Sequence, residues 1–211
     1  IAALHFDSIV TDAAPADTKQ KTEEPAPQEW FVAQDGTGQF TTISEAVEQA
    51  AEGDIIWIYP GVYEESVQMS QKQLQLNGID KNLCILQNCE ESYYHPPLEI
   101  AAGSVSNLTI YAYRVDTDPI GGSSTSVKET QPEFEETDVS AIYAGAVPIS
   151  SFTGYAVHIE SDYAYGRSLT FSDCVIQSDC NYAVGAGLRG DYSLQFENCE
   201  LIGRGSAGDI Y

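Results

Sequence analysis

Five tyrosines cluster in the second half of the sequence, where they could bind carbohydrate. They are Tyr155, Tyr163, Tyr165, Tyr182 and Tyr192. An exposed tyrosine offers a flat apolar ring on which a sugar can stack and a hydroxyl at its edge. Tyrosine is also frequent in β-strands, where it packs against neighbouring strands. The cluster therefore allows both a sugar-binding role and a purely structural one.

The carboxylates and histidines do not follow a known metal motif. Asp162, Asp173 and Asp191 could offer oxygen ligands to calcium, but the sequence contains no EF-hand loop. The histidines lie far apart in the sequence: His5, His95 and His158. We therefore predict no metal site and no cofactor, with calcium left open.

The five cysteines also lack metal-ligand spacing. We expect most of them to be small apolar residues of the core. Cys174 and Cys199 are predicted to be buried thiols. Cys84 and Cys89 flank a strand end and are the pair we expect to be linked.

The charge balance excludes one class of partner. The chain has 9 basic and 32 acidic residues, a formal net charge of −23. Such a surface repels phosphate backbones, which argues against nucleic acid. It also repels a polyanionic glycan unless a cation bridges the two, but not a neutral or methyl-esterified one. Solubility or salt tolerance would explain the charge equally well. No apolar run reaches the roughly 18–20 residues needed to span a membrane.

The elements that would position these side chains begin at Trp30. A short apolar strand, Trp30–Ala33, runs into a glycine-rich turn. A helix over Thr42–Ala51 follows, with apolar residues at helical spacing. Ile55–Tyr59 is then an apolar strand stopped by a Pro-Gly pair. A strand, a single helix and a series of short strands are typical of the start of a parallel β-helix.

An internal repeat indicates stacked coils. SLTFSDCVI (168–176) recurs as SLQFENCEL (193–201), a shift of 25 positions, and a weaker echo lies at 106–110. A period in the twenties with strand-like words is typical of repeats that bury each other's apolar faces. We therefore predict that Leu169, Phe171, Leu194 and Phe196 face the interior, with residue 171 over 196 and residue 174 over 199.

These words resemble those of a known family. DGTGQFTTISEAV (35–47) and IYPGVYEE (58–65) are similar to the N-terminal end of pectin methylesterases, members of the pectin-lyase-like superfamily. The resemblance covers Trp30–Leu86 and Gly154–Cys199. It implies an all-β fold, a right-handed parallel β-helix with an N-terminal capping α-helix. It also implies a polysaccharide partner, pectin-like or another plant glycan, and an extracellular or cell-surface location.

The resemblance also suggests catalytic positions. In the family one aspartate is the nucleophile on the methyl ester, a second is the general acid/base, and glutamines stabilise the oxyanion. In the word SDCNY (178–182), Asp179 matches the acid/base and Tyr182 the family tyrosine. Ser178 and Tyr155 stand where the family has the two glutamines. Asp209 is the nearest candidate for the nucleophile, and the family's arginine-bearing word has no counterpart.

We therefore predict a pectin-methylesterase-like protein associated with polysaccharide that lacks a complete catalytic site. One alternative is an active carbohydrate esterase that demethylates pectin through Asp179 and Asp209. Another is a structural β-helix of a surface or adhesin type.

Two segments complete the predicted organisation. Residues 1–29 are a Pro-rich linker or extension, and residues 30–211 form the β-helix domain, with an acidic loop over 116–150. Because the family's β-helix continues for several more coils, we expect residues 30–211 to be a fragment or a shortened version. Its last coil would then be open to end-to-end self-association. The alternative is that the 116–150 loop, the 1–29 segment or a second copy of the chain covers the last coil.

Overall fold

The computed structural model describes residues 26–89, 96–113, 154–160, 163, 166–180, 182–188, 190–203 and 208–210. The loop predicted over 116–150 and nearly all of the predicted 1–29 extension lie outside these ranges. Within them, the chain forms short β-strands and one α-helix, α1 (Ile43–Gln49). No helix in the described ranges has the length and apolar character needed to cross a bilayer.

The strands form three parallel sheets. Sheet A contains β1 (Glu29–Val32), β2 (Ile55–Ile58), β5 (Leu74–Gly78), β8 (Gly103–Ser106), β11 (Ser168–Ser172) and β14 (Ser193–Glu197). Sheet B contains β3 (Gly61–Glu64), β6 (Cys84–Cys89), β9 (Thr109–Tyr113), β12 (Val175–Ser178) and β15 (Glu200–Gly203). Sheet C contains β4 (Val67–Met69), β7 (Leu98–Ile100), β10 (Val157–Ile159), β13 (Val184–Ala186) and β16 (Gly208–Ile210).

From β2 onward the chain visits the sheets in the fixed order A, B, C, so each circuit is one coil. Every ladder is parallel and joins a strand to the equivalent strand of the next coil. The side chains that point inward from the three sheets form one continuous apolar core. The right-handed parallel β-helix predicted from the sequence is confirmed.

The corner between sheets A and B has the same backbone form in three coils. Asn107, Asp173 and Asn198 have φ angles of 51°, 54° and 53°, in the left-handed region. Asn and Asp tolerate this region better than other residues that carry a Cβ. The Asn198 amide also donates to the Asp173 carboxylate of the preceding coil. These corners precede β9, β12 and β15 and start each of them in register with the sheet B strand before it.

The predicted stacking of the repeats is confirmed. Phe171 is paired with Phe196, and their rings lie 5.2 Å apart at 12°. Leu169 and Phe171 are fully buried, whereas Leu194 and Phe196 are partly buried in the coil that follows.

The cysteine predictions are confirmed only in part. Cys174 is buried, and burial raises the pKa of its thiol to about 12, whereas Cys199 is only partly buried. The proposed link between Cys84 and Cys89 is wrong. They are the two ends of β6, roughly 16 Å apart at the rise of a strand, and a disulfide needs Cα atoms within about 7 Å.

Helix α1 covers the first coils, and coil residues hold both of its ends. Thr42 is the N-cap, and the Glu65 carboxylate accepts the backbone N–H groups of Ile43 at 2.8 Å and Ser44 at 2.9 Å. At the other end, Lys72 Nζ donates to the carbonyls of Val47, Glu48 and Ala50 at 2.7–2.9 Å. The helix is shorter than the predicted Thr42–Ala51, because Ala50 already has an extended ψ of 141°.

Candidate functional site

The outer face of sheet C carries a ladder of polar side chains. In β4, β7 and β10, the central residues Gln68, Glu99 and His158 are direct neighbours across the strands. The residues on either side of them are buried in the core, so alternation turns these three side chains outward. The same register continues to Gly185 in β13 and Asp209 in β16.

An aromatic group stands over this ladder. The Tyr155 ring stacks on His158 at 6.1 Å and 10°, and on Tyr182 of the next coil at 6.1 Å and 21°. A Cβ at Gly185 would lie 2.5 Å from two carbons of the Tyr155 ring. Glycine at this position therefore lets the ring lie flat across β13. Tyr155 is 8% exposed, so the outer surface of the group is formed more by Tyr182 and His158.

Two carboxylates flank His158. Its Nδ1 lies 3.9 Å from Glu99 Oε2. Glu99, His158 and Glu160 each offer one atom that could bind a metal ion, and these three atoms lie within 4.8 Å of one another. Ser70 donates to the other oxygen of Glu99 at 3.3 Å, which helps to hold that carboxylate in place.

A cleft continues the polar ladder towards α1. Its volume is about 450 Å³, and its walls are the outer side of α1 and the residues of β4 and the turn after it. Gln68 belongs both to the cleft and to the ladder of sheet C, and Ser70 of the cleft bonds to Glu99 of the ladder. Tyr163 lies nearby at 43% exposure, within 3.5 Å of the Gln71 amide. The cleft and the ladder together form a mixed polar and apolar surface, with the exposed Tyr163 and the partly exposed Tyr182 beside it.

Asp179 lies away from this surface, directly after β12 in sheet B. Its Oδ2 accepts the Tyr111 hydroxyl, and its Oδ1 accepts the Gln177 amide at 3.1 Å. Its backbone N–H donates to the Ala112 carbonyl at 2.9 Å. Both carboxylate oxygens therefore have protein donors, and the residue fixes the turn from sheet B to sheet C.

Ser178 faces the inside of the same turn. It is 1% exposed, its hydroxyl donates to the Gly154 carbonyl at 2.5 Å, and its oxygen accepts the Cys180 N–H at 3.1 Å. The hydroxyl proton is therefore directed at the backbone of the preceding coil.

Sheet B carries a second polar group that the sequence analysis missed. Glu64 accepts the Gln87 amide at 2.9 Å and the Tyr113 hydroxyl. Burial, together with the bond to Glu64, raises the pKa of Tyr113. Tyr111 lies between Gln87 and Gln177 in the strand register, so the group extends to Asp179. The alternation of Thr109, Tyr111 and Tyr113 with apolar residues was the available signal.

The predicted site residues thus fall into two places. Tyr155 and Tyr182 are brought together on neighbouring coils above sheet C. Asp179 ends a strand of sheet B, while Asp209 lies in sheet C opposite Gly185 rather than opposite Asp179. Among the residues considered for calcium, Asp173 belongs to a coil corner, Asp191 is exposed, and Asp162 lies outside the described residues, as does Tyr165.

Comparison with known proteins gives relatives of a single kind. No family model matches the chain. It is 23% identical over 186 residues to "Probable pectinesterase/pectinesterase inhibitor 23" of Arabidopsis thaliana, covering 82% of this chain and 29% of that protein. A second Arabidopsis thaliana protein, pectinesterase/pectinesterase inhibitor 28, is 28% identical over 189 residues and is covered over 22% of its length.

The chain is a parallel β-helix whose sequence is similar to that of these two pectinesterases. This confirms the resemblance seen in the sequence words. The chain spans only about a quarter of the length of these two relatives.

Solved structures with a similar trace are also pectin methylesterases. A mutant enzyme in complex with a hexasaccharide has a TM-score of 0.49 at 17% identity, covering 83% of this chain and 49% of that one. The enzyme from carrot has a TM-score of 0.46 at 16% identity, covering 83% and 53%.

Proposed function

We propose that this chain is a polysaccharide-binding, pectinesterase-like β-helix that acts outside the cell and lacks a complete esterase site. Residues 30–211 would form its β-helix domain. Its ligand would be a methyl-esterified pectin or a similar weakly charged glycan, since a net charge of −23 disfavours a polyanion. The glycan would lie along sheet C and the cleft beside α1, in contact with Tyr182, Tyr163 and Gln68.

The hydrogen bonds made by Ser178 and Asp179 are the main observation in support of a lost catalytic activity. An esterase of this family type needs a free acid/base and donors aimed at the oxyanion. Both oxygens of Asp179 instead accept protein hydrogen bonds, and the Ser178 hydroxyl donates to a backbone carbonyl. Removing one oxyanion donor costs on the order of a hundredfold or more in rate. Together these contacts support a binding role over turnover.

The likeness to pectinesterases supports the choice of glycan. The geometry of sheet C supports the binding surface, because the parallel strands hold Tyr155, Tyr182 and His158 in fixed positions. A rigid surface with ordered aromatic rings loses little entropy when a sugar chain binds.

The test measures binding and methanol release on the same methyl-esterified pectin. We expect the wild-type chain to bind the polymer in affinity electrophoresis and to release no methanol above background. Tyr182→Ala should weaken binding roughly 2- to 10-fold, the value of one aromatic contact. Tyr59→Ala is the matched control, because Tyr59 is 41% exposed and follows a strand of sheet A.

Two other outcomes would each reject the proposal. Methanol release that disappears in both Asp179→Asn and Asp209→Asn would identify an active esterase with paired aspartates. If the chain neither binds the pectin nor releases methanol, the remaining hypothesis is a structural β-helix of the surface or adhesin type.

A further inference from the structure

We propose that Glu99, His158 and Glu160 form a binding site for a divalent transition metal ion of the Zn²⁺ class. This departs from the sequence prediction of no metal site, and it does not depend on the proposed function. Glu99 is remote in the sequence from His158 and Glu160, but sheet C brings the three residues onto one face.

The backbone fixes the three positions. Glu99 and His158 are direct partners in the ladder between β7 and β10. Glu160 follows His158 by two residues and still bonds across the ladder, its N–H donating to the Ile100 carbonyl at 3.0 Å. Residues two apart in an extended strand share a face, so all three side chains leave the sheet on the same side.

The distances suit one ion. Zinc binds His nitrogen and carboxylate oxygen at about 2.0–2.2 Å, which places tetrahedral ligand atoms roughly 3.4 Å apart. His158 Nδ1 and Glu99 Oε2 are already 3.9 Å apart, and the three ligand atoms lie within 4.8 Å of one another. Ion binding requires side-chain rotations that shorten these separations by roughly 0.5–1.4 Å.

The ligand types select the class of metal. An imidazole with two carboxylates suits Zn²⁺ and similar ions, whereas Ca²⁺ and Mg²⁺ prefer sites made of oxygen alone. The surroundings hold the ligands: the His158 ring is stacked on Tyr155, and Glu99 accepts a bond from Ser70. Outer contacts of this kind orient metal ligands and raise affinity.

The site is open to solvent on one side. The His158 and Glu99 side chains are 27% and 20% exposed, so an ion can enter without unfolding the coil. Three protein ligands leave a fourth position for water or for an oxygen of a bound molecule. The strongly negative chain also raises the local concentration of cations.

The experiment is equilibrium dialysis of the full chain against Zn²⁺, with Ca²⁺ as a second arm and metal content measured on the protein. We expect one Zn²⁺ per chain and at least tenfold weaker binding in His158→Gln and in the double variant Glu99→Gln/Glu160→Gln. Glu200→Gln is the control, because Glu200 is an exposed carboxylate on β15 of sheet B. Circular dichroism of each variant checks that the coils remain folded.

A Co²⁺-loaded sample separates this site from the cysteines. Coordination by nitrogen and oxygen gives a visible spectrum without an intense sulfur charge-transfer band. The proposal is overturned if the sulfur band appears or if Zn²⁺ binding is unchanged in both variants. It is also overturned if no Zn²⁺ binds, since His158 and Glu99 would then form an ion pair only. Equal binding of Ca²⁺ at the same residues would also overturn it.

Discussion

Gly185→Ala is the sharpest perturbation of the sheet C surface. The new methyl group would lie 2.5 Å from the Cε2 and Cζ atoms of the Tyr155 ring. An ordinary contact between carbon atoms is about 3.5–4.0 Å, so the ring must move by roughly 1 Å or more. Tyr155 is 8% exposed and stacked on both His158 and Tyr182, so it cannot move without loosening both contacts.

The structure gives an estimate of the cost. Adding a methyl group to a well-packed site costs typically about 1–3 kcal/mol. An alanine at a strand position is otherwise favoured over glycine by about 0.5–1 kcal/mol, which offsets part of this loss. We therefore expect Gly185→Ala to lower the free energy of unfolding by roughly 1–2 kcal/mol.

A double-mutant cycle in urea isolates the contact. In a Tyr155→Ala background the ring is gone, so the added methyl group meets no obstacle there. Gly185→Ala should then be neutral or stabilise by up to about 1 kcal/mol. The reasoning is refuted if Gly185→Ala costs the same in both backgrounds, because the cost would then arise from the strand itself.

Two further predictions concern the coils that carry the surface. Asp54 is buried; burial alone would raise its pKa, but hydrogen bonds from Trp30, Gln28 and Ala51 and the charge of Lys72 lower it below the ordinary value. The folded-state pKa of Asp54 is lower than its unfolded-state pKa, so the ionised carboxylate stabilises the fold above about pH 5. Asp54→Asn should there lower the free energy of unfolding by about 1–3 kcal/mol, and its difference from wild type should shrink as the pH falls below about 4. Urea unfolding at several pH values measures this, and a difference independent of pH would contradict it. Phe171→Ala should lower the free energy of unfolding by about 3–5 kcal/mol in the same assay, and Phe196→Ala should lower it by less. The reason is that Phe171 is fully buried and Phe196 only partly buried. Equal losses in the two variants would contradict this reasoning.

Much of the fold could be predicted because its signals are local. The strand, helix and strand over residues 29–58 follow from apolar spacing and from glycine and proline positions. The register of Phe171 over Phe196 follows from a repeat of nearly identical words. Each of these sequence patterns lies within one helix or strand, or within two repeated strands. The spacing of apolar residues there is enough to show which side chains face the core.

The candidate site could not be predicted in the same way. Glu99 and His158 are neighbours only because β7 and β10 occupy equivalent places in successive coils, although 59 positions separate them in the sequence. No local pattern carries that register, because the turns and loops between the coils vary in length. The space that Gly185 leaves for the Tyr155 ring is also a property of the stack.

The two aspartates show why sequence words and coil register can diverge. Val175 to Ser178 pair one to one with Glu200 to Gly203, so the two coils are aligned up to that point. Asp179 lies one position after Ser178, whereas Asp209 lies six positions after Gly203, the partner of Ser178 in the next coil. Asp209 therefore lies opposite Gly185, while Asp179 remains at the end of sheet B with its oxygens held by Tyr111 and Gln177. Two carboxylates can act as an acid and a nucleophile only where the register sets them side by side. In this chain the register keeps Asp179 and Asp209 at different sheets, and this supports our inference of binding rather than turnover.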